Sequence, residues 1–138
     1  MTSQTPSKPP VGGVVPHINV EGASDASAFY QRAFAARELS RAPAQDGKRL
    51  MHCQLAINGG SLMLSDCFPE FGITNQPSAC FTMHLDVDDV DAWWQRAVDA
   101  GCTASMQPQD MFWGDRYAQA KDSFGVLWAF VGPKSTAR

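Results

Sequence analysis

The sequence predicts an α+β fold built from two tandem βαβββ modules. The first observation is an internal repeat, because residues 28–34 read AFYQRAF and residues 92–98 read AWWQRAV, with four of seven positions identical. The second is a shorter repeat upstream, HINV at 17–20 against HLDV at 84–87. A weaker third match pairs residues 60–64 with 125–129. Three matches in the same order indicate the duplication of one supersecondary unit.

Each repeat contains one amphipathic helix. In the first copy, apolar side chains recur at the spacing of one helix face, and they are Ala26, Phe29, Tyr30, Ala33 and Phe34. The second copy repeats the spacing with Val90, Trp93, Trp94, Ala97 and Val98. We expect both stripes to pack in the core rather than to bind a cofactor.

The ends of these helices carry recognisable signals. Ser24 or Asp25 can cap the first helix by accepting a backbone N–H. Gly101 suits a left-handed stop at the end of the second helix. Acidic side chains suit the positive N-terminal end of that helix, and they are Asp88, Asp89 and Asp91.

Strand-like runs surround each helix, with turn residues between them. In the first copy they cover residues 14–20, 37–42, 48–57 and 61–65. In the second copy they cover residues 80–87, 103–107, 116–121 and 126–131. Each copy therefore predicts one strand, one helix and three further strands.

These patterns predict an N-terminal arm, a single domain and a C-terminal tail. A Pro- and Ser-rich stretch at 1–13 predicts a disordered arm. Residues 14–132 form a single domain, with module one at about 14–66, a linker at 67–79 and module two at about 80–132. Residues 133–138 are a C-terminal tail.

Composition narrows the classes of partner. The net charge of the 138 residues is −3, and no cluster of Lys and Arg reaches three in a row, so we expect no nucleic acid partner. No apolar stretch approaches the roughly 20 residues that cross a bilayer, so we expect no membrane partner. The four cysteines form no Cys-x-x-Cys pair, which favours reduced thiols and a cytoplasmic location.

Five motifs in order carry a family resemblance. They are FYQRAF at 29–34, HCQL at 52–55, VDDVD at 87–91, FWGDRY at 112–117 and DSFGVLW at 122–128. Over residues 14–132 the sequence resembles the vicinal oxygen chelate superfamily, which includes glyoxalase I, bleomycin-resistance proteins and extradiol dioxygenases. Within it the sequence looks most like the PhnB-like branch. The resemblance implies a curved mixed sheet around a small-molecule cup, and a homodimer.

The resemblance also implies where a metal would be held. The superfamily's metal enzymes place their ligands on the first and last strand of each module. The corresponding positions here are Val15, Leu64, Thr82 and Ala129. Because three of these side chains have no lone pair and a single hydroxyl is a poor divalent ligand, we expect no cofactor at the usual site.

Strand alternation predicts which side chains face the cup. On the first strand of each module they are His17, Asn19, His84 and Asp86, and on the long inner strand they are His52 and Gln54. Three interpretations of these histidines stay open. They are hydrogen-bonded cavity residues, or they orient a ligand, or they form a relocated metal site with Asp86 as its carboxylate.

The FWGDRY motif adds two candidates for the ligand site. Trp113 can form a wall at the mouth of the cavity, and Arg116 offers a fork of donors to an anionic or carbonyl-bearing molecule. The alternative for Arg116 is a structural pair with Asp115. The leading function is binding of a small, partly aromatic or hydrophobic molecule by a protein that is more a binder than an enzyme. The alternative is a divalent-metal-dependent lyase, isomerase or dioxygenase with a non-standard histidine-based site.

Overall fold

A computed structural model describes residues 13–134 of the protein, and the chain divides into two compact units. Among the described residues, unit one comprises residues 13–28 and 36–75, and unit two comprises residues 29–35 and 76–134. Most of the predicted arm (1–13) and of the predicted tail (133–138) lies outside the described residues.

Unit one contains a four-stranded mixed sheet. Its strand order is β1-β4-β3-β2, in which β1 runs parallel to β4 and the other neighbours are antiparallel. The strands are β1 His17–Val20, β2 Arg37–Pro43, β3 Leu50–Ile57 and β4 Gly60–Asp66, and helix α1 (Ala23–Phe34) follows β1. The first six residues of α1 belong to unit one and the remainder to unit two.

Unit two repeats this topology in the order β5-β8-β7-β6, again with one parallel pair. Its elements are β5 Met83–Asp86, α2 Val90–Ala100, β6 Thr103–Asp110, β7 Asp115–Lys121 and β8 Leu127–Pro133. The predicted α+β class and the repeated order of one strand, one helix and three strands are confirmed. Within the described residues, no helix has the length and apolar character needed to cross a membrane.

The first strand of each module is shorter than predicted. Pro16 lies just before β1, and because proline has no N–H it cannot extend the ladder as a donor. β5 begins at Met83, which pairs with Trp128 near the start of β8, so residues 80 and 81 lie beyond the end of their partner strand.

The two predicted apolar stripes differ in burial. All five side chains of the α1 stripe are buried. In α2, Val90 and Ala97 are buried, whereas Trp93, Trp94 and Val98 are half-buried. Trp94 donates its indole N–H to the carbonyl of Gln119 at 3.0 Å. The α1 stripe therefore lies in the core as predicted, whereas the α2 stripe is only partly buried.

The cap of α1 comes from a residue distant in sequence. The helix begins at Ala23, so Ser24 and Asp25 lie inside its first turn, and the prediction that one of them is the cap is wrong. Oδ1 of the buried Asp66 accepts the backbone N–H groups of Gly22 and Ala23 at 2.9 and 3.0 Å. At α2 the predicted acidic cap is present, because Asp89 accepts the N–H of Ala92 at 3.1 Å.

Unit two is organised around a second buried carboxylate, that of Asp122. One of its oxygens accepts the Tyr30 hydroxyl at 2.6 Å and the Trp128 indole N–H at 2.8 Å. The other accepts the backbone N–H groups of Phe124 and Val126. Burial and the negative charge of Asp122 raise the pKa of Tyr30.

Replacing Asp66 by Ala should lower the free energy of unfolding by about 2–4 kcal/mol, because three backbone N–H groups lose a charged acceptor. The third is that of Leu50, which donates to Oδ2 at 2.7 Å. Urea unfolding monitored by circular dichroism measures the loss. Glu21→Gln, at an exposed neighbouring acid, is the control and should stay within about 0.5 kcal/mol of the parent. Equal effects of the two substitutions would contradict this role.

Replacing Tyr30 by Phe should destabilise the protein by about 1–3 kcal/mol, because the buried Asp122 oxygen loses one of its two side-chain donors. Tyr117→Phe is the matched control, since the half-buried Tyr117 hydroxyl accepts a bond from the Gln119 side chain and, among the described residues, donates to no buried carboxylate. Thermal and urea unfolding should both rank Tyr30→Phe as the more damaging change. The reverse order would show that the Tyr30–Asp122 bond is not a stabilising contact.

Candidate functional site

The sheet of unit one has one face covered by buried side chains and one open face. Cys53, Leu55 and Ile57 are buried, whereas the alternate residues of β3 are half-exposed. His17 pairs with Met63 and Asn19 pairs with Ser65, while Gln54 also pairs with Met63. Because paired residues project to the same side of a sheet, these residues share the open face.

A cavity of about 770 Å³ lies against this open face. Its walls come from β1, from the end of β4, from the β2–β3 turn with the start of β3, and from the segment after β4. The lining residues are His17, Asn19, Ala44, Gln45, Asp46, Arg49, Met51, Ser65, Phe68, Glu70, Phe71 and Ile73. All of them belong to unit one.

Ser65 joins the two predicted residues of β1. Its hydroxyl oxygen accepts a hydrogen bond from the Asn19 amide at 2.8 Å. The same oxygen lies 3.2 Å from Nε2 of His17. Ser65 is buried, and its neighbour Asp66 faces the opposite side of the sheet. The end of β4 therefore holds the polar side of the cavity in a fixed arrangement.

His17 is affected by its surroundings and by the second histidine of unit one. Partial burial lowers the pKa of His17 below its ordinary value of 6.5, and a positive charge on His52 lowers it further. His17 is therefore neutral at pH 7. A neutral imidazole has one N–H donor and one acceptor nitrogen, so His17 can orient a polar group without adding charge to the cavity.

Arg49 connects two walls of the cavity. It donates to Asp46 in the β2–β3 turn at 2.7 Å and to Glu70 in the following segment at 2.9 and 3.2 Å. It also donates to the Cys67 carbonyl, and its guanidinium lies 4.2 Å from the centroid of the Phe68 ring. These contacts stabilise the turn and the segment in one relative position.

The apolar part of the cavity has side chains with large exposed surfaces. Met51 is 61% exposed and Phe71 is 75% exposed, and Ile73 is exposed beside them. Exposed aromatic and thioether surface at a concave site is the kind of surface that an apolar ligand covers.

Some of the predicted site residues lie outside this cavity lining. Gln54 donates to Ser61 at 2.8 Å, and His52 lies on the same face of β3. In unit two, Nε2 of His84 lies 2.9 Å from a carboxylate oxygen of Asp86 on the same strand. The structure thus brings His17 and Asn19 together at the cavity and pairs His84 with Asp86.

The FWGDRY motif forms part of the β6–β7 hairpin in unit two. Trp113 is 49% exposed, and its ring packs edge-on against that of Tyr117. The sequence analysis offered an ion pair with Asp115 as the structural role of Arg116, and that prediction is wrong. Arg116 pairs with Asp91 at 2.8 Å and with Asp110 at 3.1 Å, because Asp91 on α2 and Asp110 on the neighbouring strand lie within reach of its side chain.

Several cavity residues were not predicted from the sequence, among them Met51, Ser65 and Phe71. Residues 67–79 were predicted to be a linker, yet Pro69–Phe71 form a short 3-10 helix and Phe68 bridges Ile73. The signal in the sequence was the pair of phenylalanines in this stretch, since a polar linker does not need them.

The family's usual metal ligands do not fit this chain. His17 pairs with Met63 in unit one and His84 pairs with Ala129 in unit two. The position that corresponds to Ala129 is therefore Met63, and the assignment to Leu64 is wrong by one residue. A thioether and a methyl group are not ligands for a hard divalent cation. Within residues 13–134, no group of three or more His, Cys, Asp or Glu side chains is placed to hold a metal ion.

Cys53 is unsuited to nucleophilic chemistry. It lies on the buried face of β3, opposite His52. Burial, together with the charge of Glu38, raises the pKa of its thiol to about 11. A thiol with such a pKa is protonated at neutral pH and is a weak nucleophile.

Comparisons with known proteins agree with this architecture. The chain belongs to the Glyoxalase/Bleomycin resistance protein/Dioxygenase superfamily, whose family model matches residues 13–130. It is 44% identical over 124 residues to an uncharacterized protein of Mycobacterium bovis, covering 86% of this chain and 81% of that one.

Two solved structures show the same fold. TioX from Micromonospora sp. ML1 is 25% identical with a TM-score of 0.67, over 92% of this chain and 100% of that one. The PhnB protein from Bacillus cereus is 14% identical with a TM-score of 0.69, over 88% of this chain and 99% of that one. A neighbour from the predicted PhnB-like branch is thus present.

Replacing His52 by Gln should raise the pKa of His17, because it removes the nearby positive charge while the burial of His17 remains. A proton NMR titration of the His17 ring resonances measures the midpoint. Gln54→Asn, a neutral change on the same face of β3, is the control and should leave that midpoint in place. An unchanged midpoint in His52→Gln would show that the two imidazoles do not interact.

Proposed function

We propose that this protein binds a small, partly aromatic or hydrophobic molecule in the cavity of unit one, without the metal site that is usual in its superfamily. The observation that carries the proposal is the exposure of Met51 and Phe71 on the wall of a concave site. Binding sites for small molecules measure about 300–1,000 Å³ and are mostly apolar with a few convergent polar groups. The volume of the cavity lies within this range, and most of its exposed surface is apolar, although it is lined by polar residues as well.

The energetic argument rests on apolar surface. A bound ring that covers Phe71 and Met51 removes apolar area from water, and each Å² contributes about 25 cal/mol. A thioether such as that of Met51 adapts to rings of different shape. This wall of the cavity supplies affinity, and it favours a class of molecules rather than one exact shape.

The polar groups of the cavity supply orientation. His17 and Asn19 are held by the buried Ser65, so they offer a fixed set of donors and acceptors. Arg49 is already committed to two carboxylates and stabilises the walls. The bleomycin resistance proteins named in the family description agree with a binding role, and that agreement is support by analogy.

The alternative is a divalent-metal-dependent lyase, isomerase or dioxygenase. The observation that favours it is the 2.9 Å pair of His84 and Asp86, since a carboxylate commonly orients a metal-bound imidazole. Metal content after loading with zinc, manganese, iron and nickel separates the two functions. A stoichiometric ion that disappears in His84→Ala would establish the alternative and overturn our proposal.

Two further properties belong to the proposal. A homodimer is supported by exposed apolar side chains in unit two, where Phe112 is 95% exposed and Phe81 is 41% exposed. A cytoplasmic location is supported by the four cysteines, which are all free thiols. Sedimentation equilibrium tests the first property, and a monomer at micromolar concentration would contradict it.

Replacing Phe71 by Ser should weaken binding of the neutral fluorescent probe N-phenyl-1-naphthylamine by roughly tenfold, because about 1.4 kcal/mol of apolar contact is lost. A fluorescence titration measures the dissociation constant. Phe112→Ser removes an even more exposed ring, which lies in unit two, so it is the matched control and should leave the constant within about twofold. A loss in the control, or none in Phe71→Ser, would place the binding site elsewhere.

A further inference from the structure

The hydrogen bonds around Ser65 decide where the proton of His17 lies. A serine hydroxyl has one proton to donate and two lone pairs. One lone pair of the Ser65 hydroxyl oxygen already accepts the N–H of the Asn19 amide at 2.8 Å. If His17 also donated to this oxygen, the buried hydroxyl proton would have no acceptor among the described residues, which is costly. The hydroxyl proton of Ser65 has an acceptor if Ser65 donates it to Nε2 of His17.

This arrangement fixes the tautomer of the imidazole. With Nε2 as the acceptor, the neutral ring carries its proton on Nδ1. Burial and the charge of His52 lower the pKa of His17, so the neutral form is the one present at pH 7 and above. Within the described residues, the ring of His17 makes no hydrogen bond besides that to Ser65. The Nδ1–H group is therefore a donor available to a molecule in the cavity.

The charged residues that line the cavity disfavour an anionic ligand at the Nδ1–H group of His17. Asp46 and Glu70 carry two negative charges, and Arg49 carries the one positive charge that faces them. Hydrogen bonds from Arg49 lower the pKa of both carboxyl groups, so both stay ionised at neutral pH. Arg49 already donates four hydrogen bonds to these carboxylates and to the Cys67 carbonyl. A carboxylate ligand would enter a site of net charge −1, in which the described lining residues offer no unpaired cation to bind it.

We infer that the cavity selects neutral aromatic molecules that carry a carbonyl-type hydrogen-bond acceptor, such as aryl ketones, esters or amides, and discriminates against aryl carboxylates. The acceptor binds the Nδ1–H of His17, and the aromatic body covers Met51 and Phe71. The inference rests on the proposed function, because it names the class of molecule that the same cavity takes.

The tautomer is tested without any ligand. A two-bond nitrogen–proton NMR correlation at pH 8 should show His17 with a protonated Nδ1 and an unprotonated Nε2. Ser65→Ala should shift the ring toward the Nε2–H tautomer. Ser61→Ala removes a hydroxyl on the same strand and face, one that accepts from Gln54, and should leave the tautomer unchanged. A parent His17 with its proton on Nε2 would overturn the inference and leave the proposed function standing.

Selectivity is tested with three isosteric probes at pH 8, namely 2-acetylnaphthalene, 2-isopropenylnaphthalene and 2-naphthoate. Calorimetric titration should show the ketone binding about three- to tenfold more tightly than the hydrocarbon, and at least about tenfold more tightly than the carboxylate. Ser65→Ala should reduce the first ratio, and Ser61→Ala should not.

The outcomes of this titration are distinguishable. Equal or tighter binding of 2-naphthoate would overturn the inference, and so would equal binding of the ketone and the hydrocarbon. Either result would still support an apolar site in the cavity. Failure of all three probes to bind would overturn the proposed function together with the inference.

Discussion

The buried carboxylate of Asp66 is the contact on which the structure of unit one depends. From the end of β4 it accepts the N–H groups of Gly22 and Ala23 at the start of α1, and that of Leu50 at the start of β3. Three chain segments therefore meet at one charged acceptor, and hydrogen bonds of this kind are stronger than neutral ones. Gly22 has a φ of 91°, a left-handed conformation that glycine adopts without strain, and it turns the chain from β1 into the helix.

The candidate site follows from the same strand end. Because side chains alternate along a strand, the residue before Asp66 faces the opposite side of the sheet, and that residue is Ser65. Its hydroxyl holds His17 and Asn19 in place, so the contact that begins the helix also fixes the polar side of the cavity. The apolar side depends on the segment after β4, which Arg49 ties to the β2–β3 turn. The cavity is thus preorganised on its polar side by the sheet and on its apolar side by an ion-pair network.

The sequence predicted the repeated architecture because its signals are local. Helical spacing, strand alternation and turn residues indicated eight strands and two helices in the correct order, and His17 and Asn19 were placed on the open face. What the sequence did not show depends on contacts between residues far apart in the chain. The cap of α1 is 44 positions from Gly22, and the partners of Arg116 became visible only with the register of β6 and β7. Residues 68–73 follow neither helical nor strand spacing, so their role as a cavity wall could not be predicted from periodicity, and the two phenylalanines were the signal in the sequence.

The most direct test of the account is to map where an aromatic probe binds. Titration of nitrogen-labelled protein with N-phenyl-1-naphthylamine, followed by NMR chemical shifts, reports on every backbone amide at once. We expect the largest shifts at the cavity residues of unit one, among them Met51, Ser65 and Phe71. Shifts centred instead on residues 83–86 and 112–117 of unit two would contradict the claim that the cavity of unit one is the binding site.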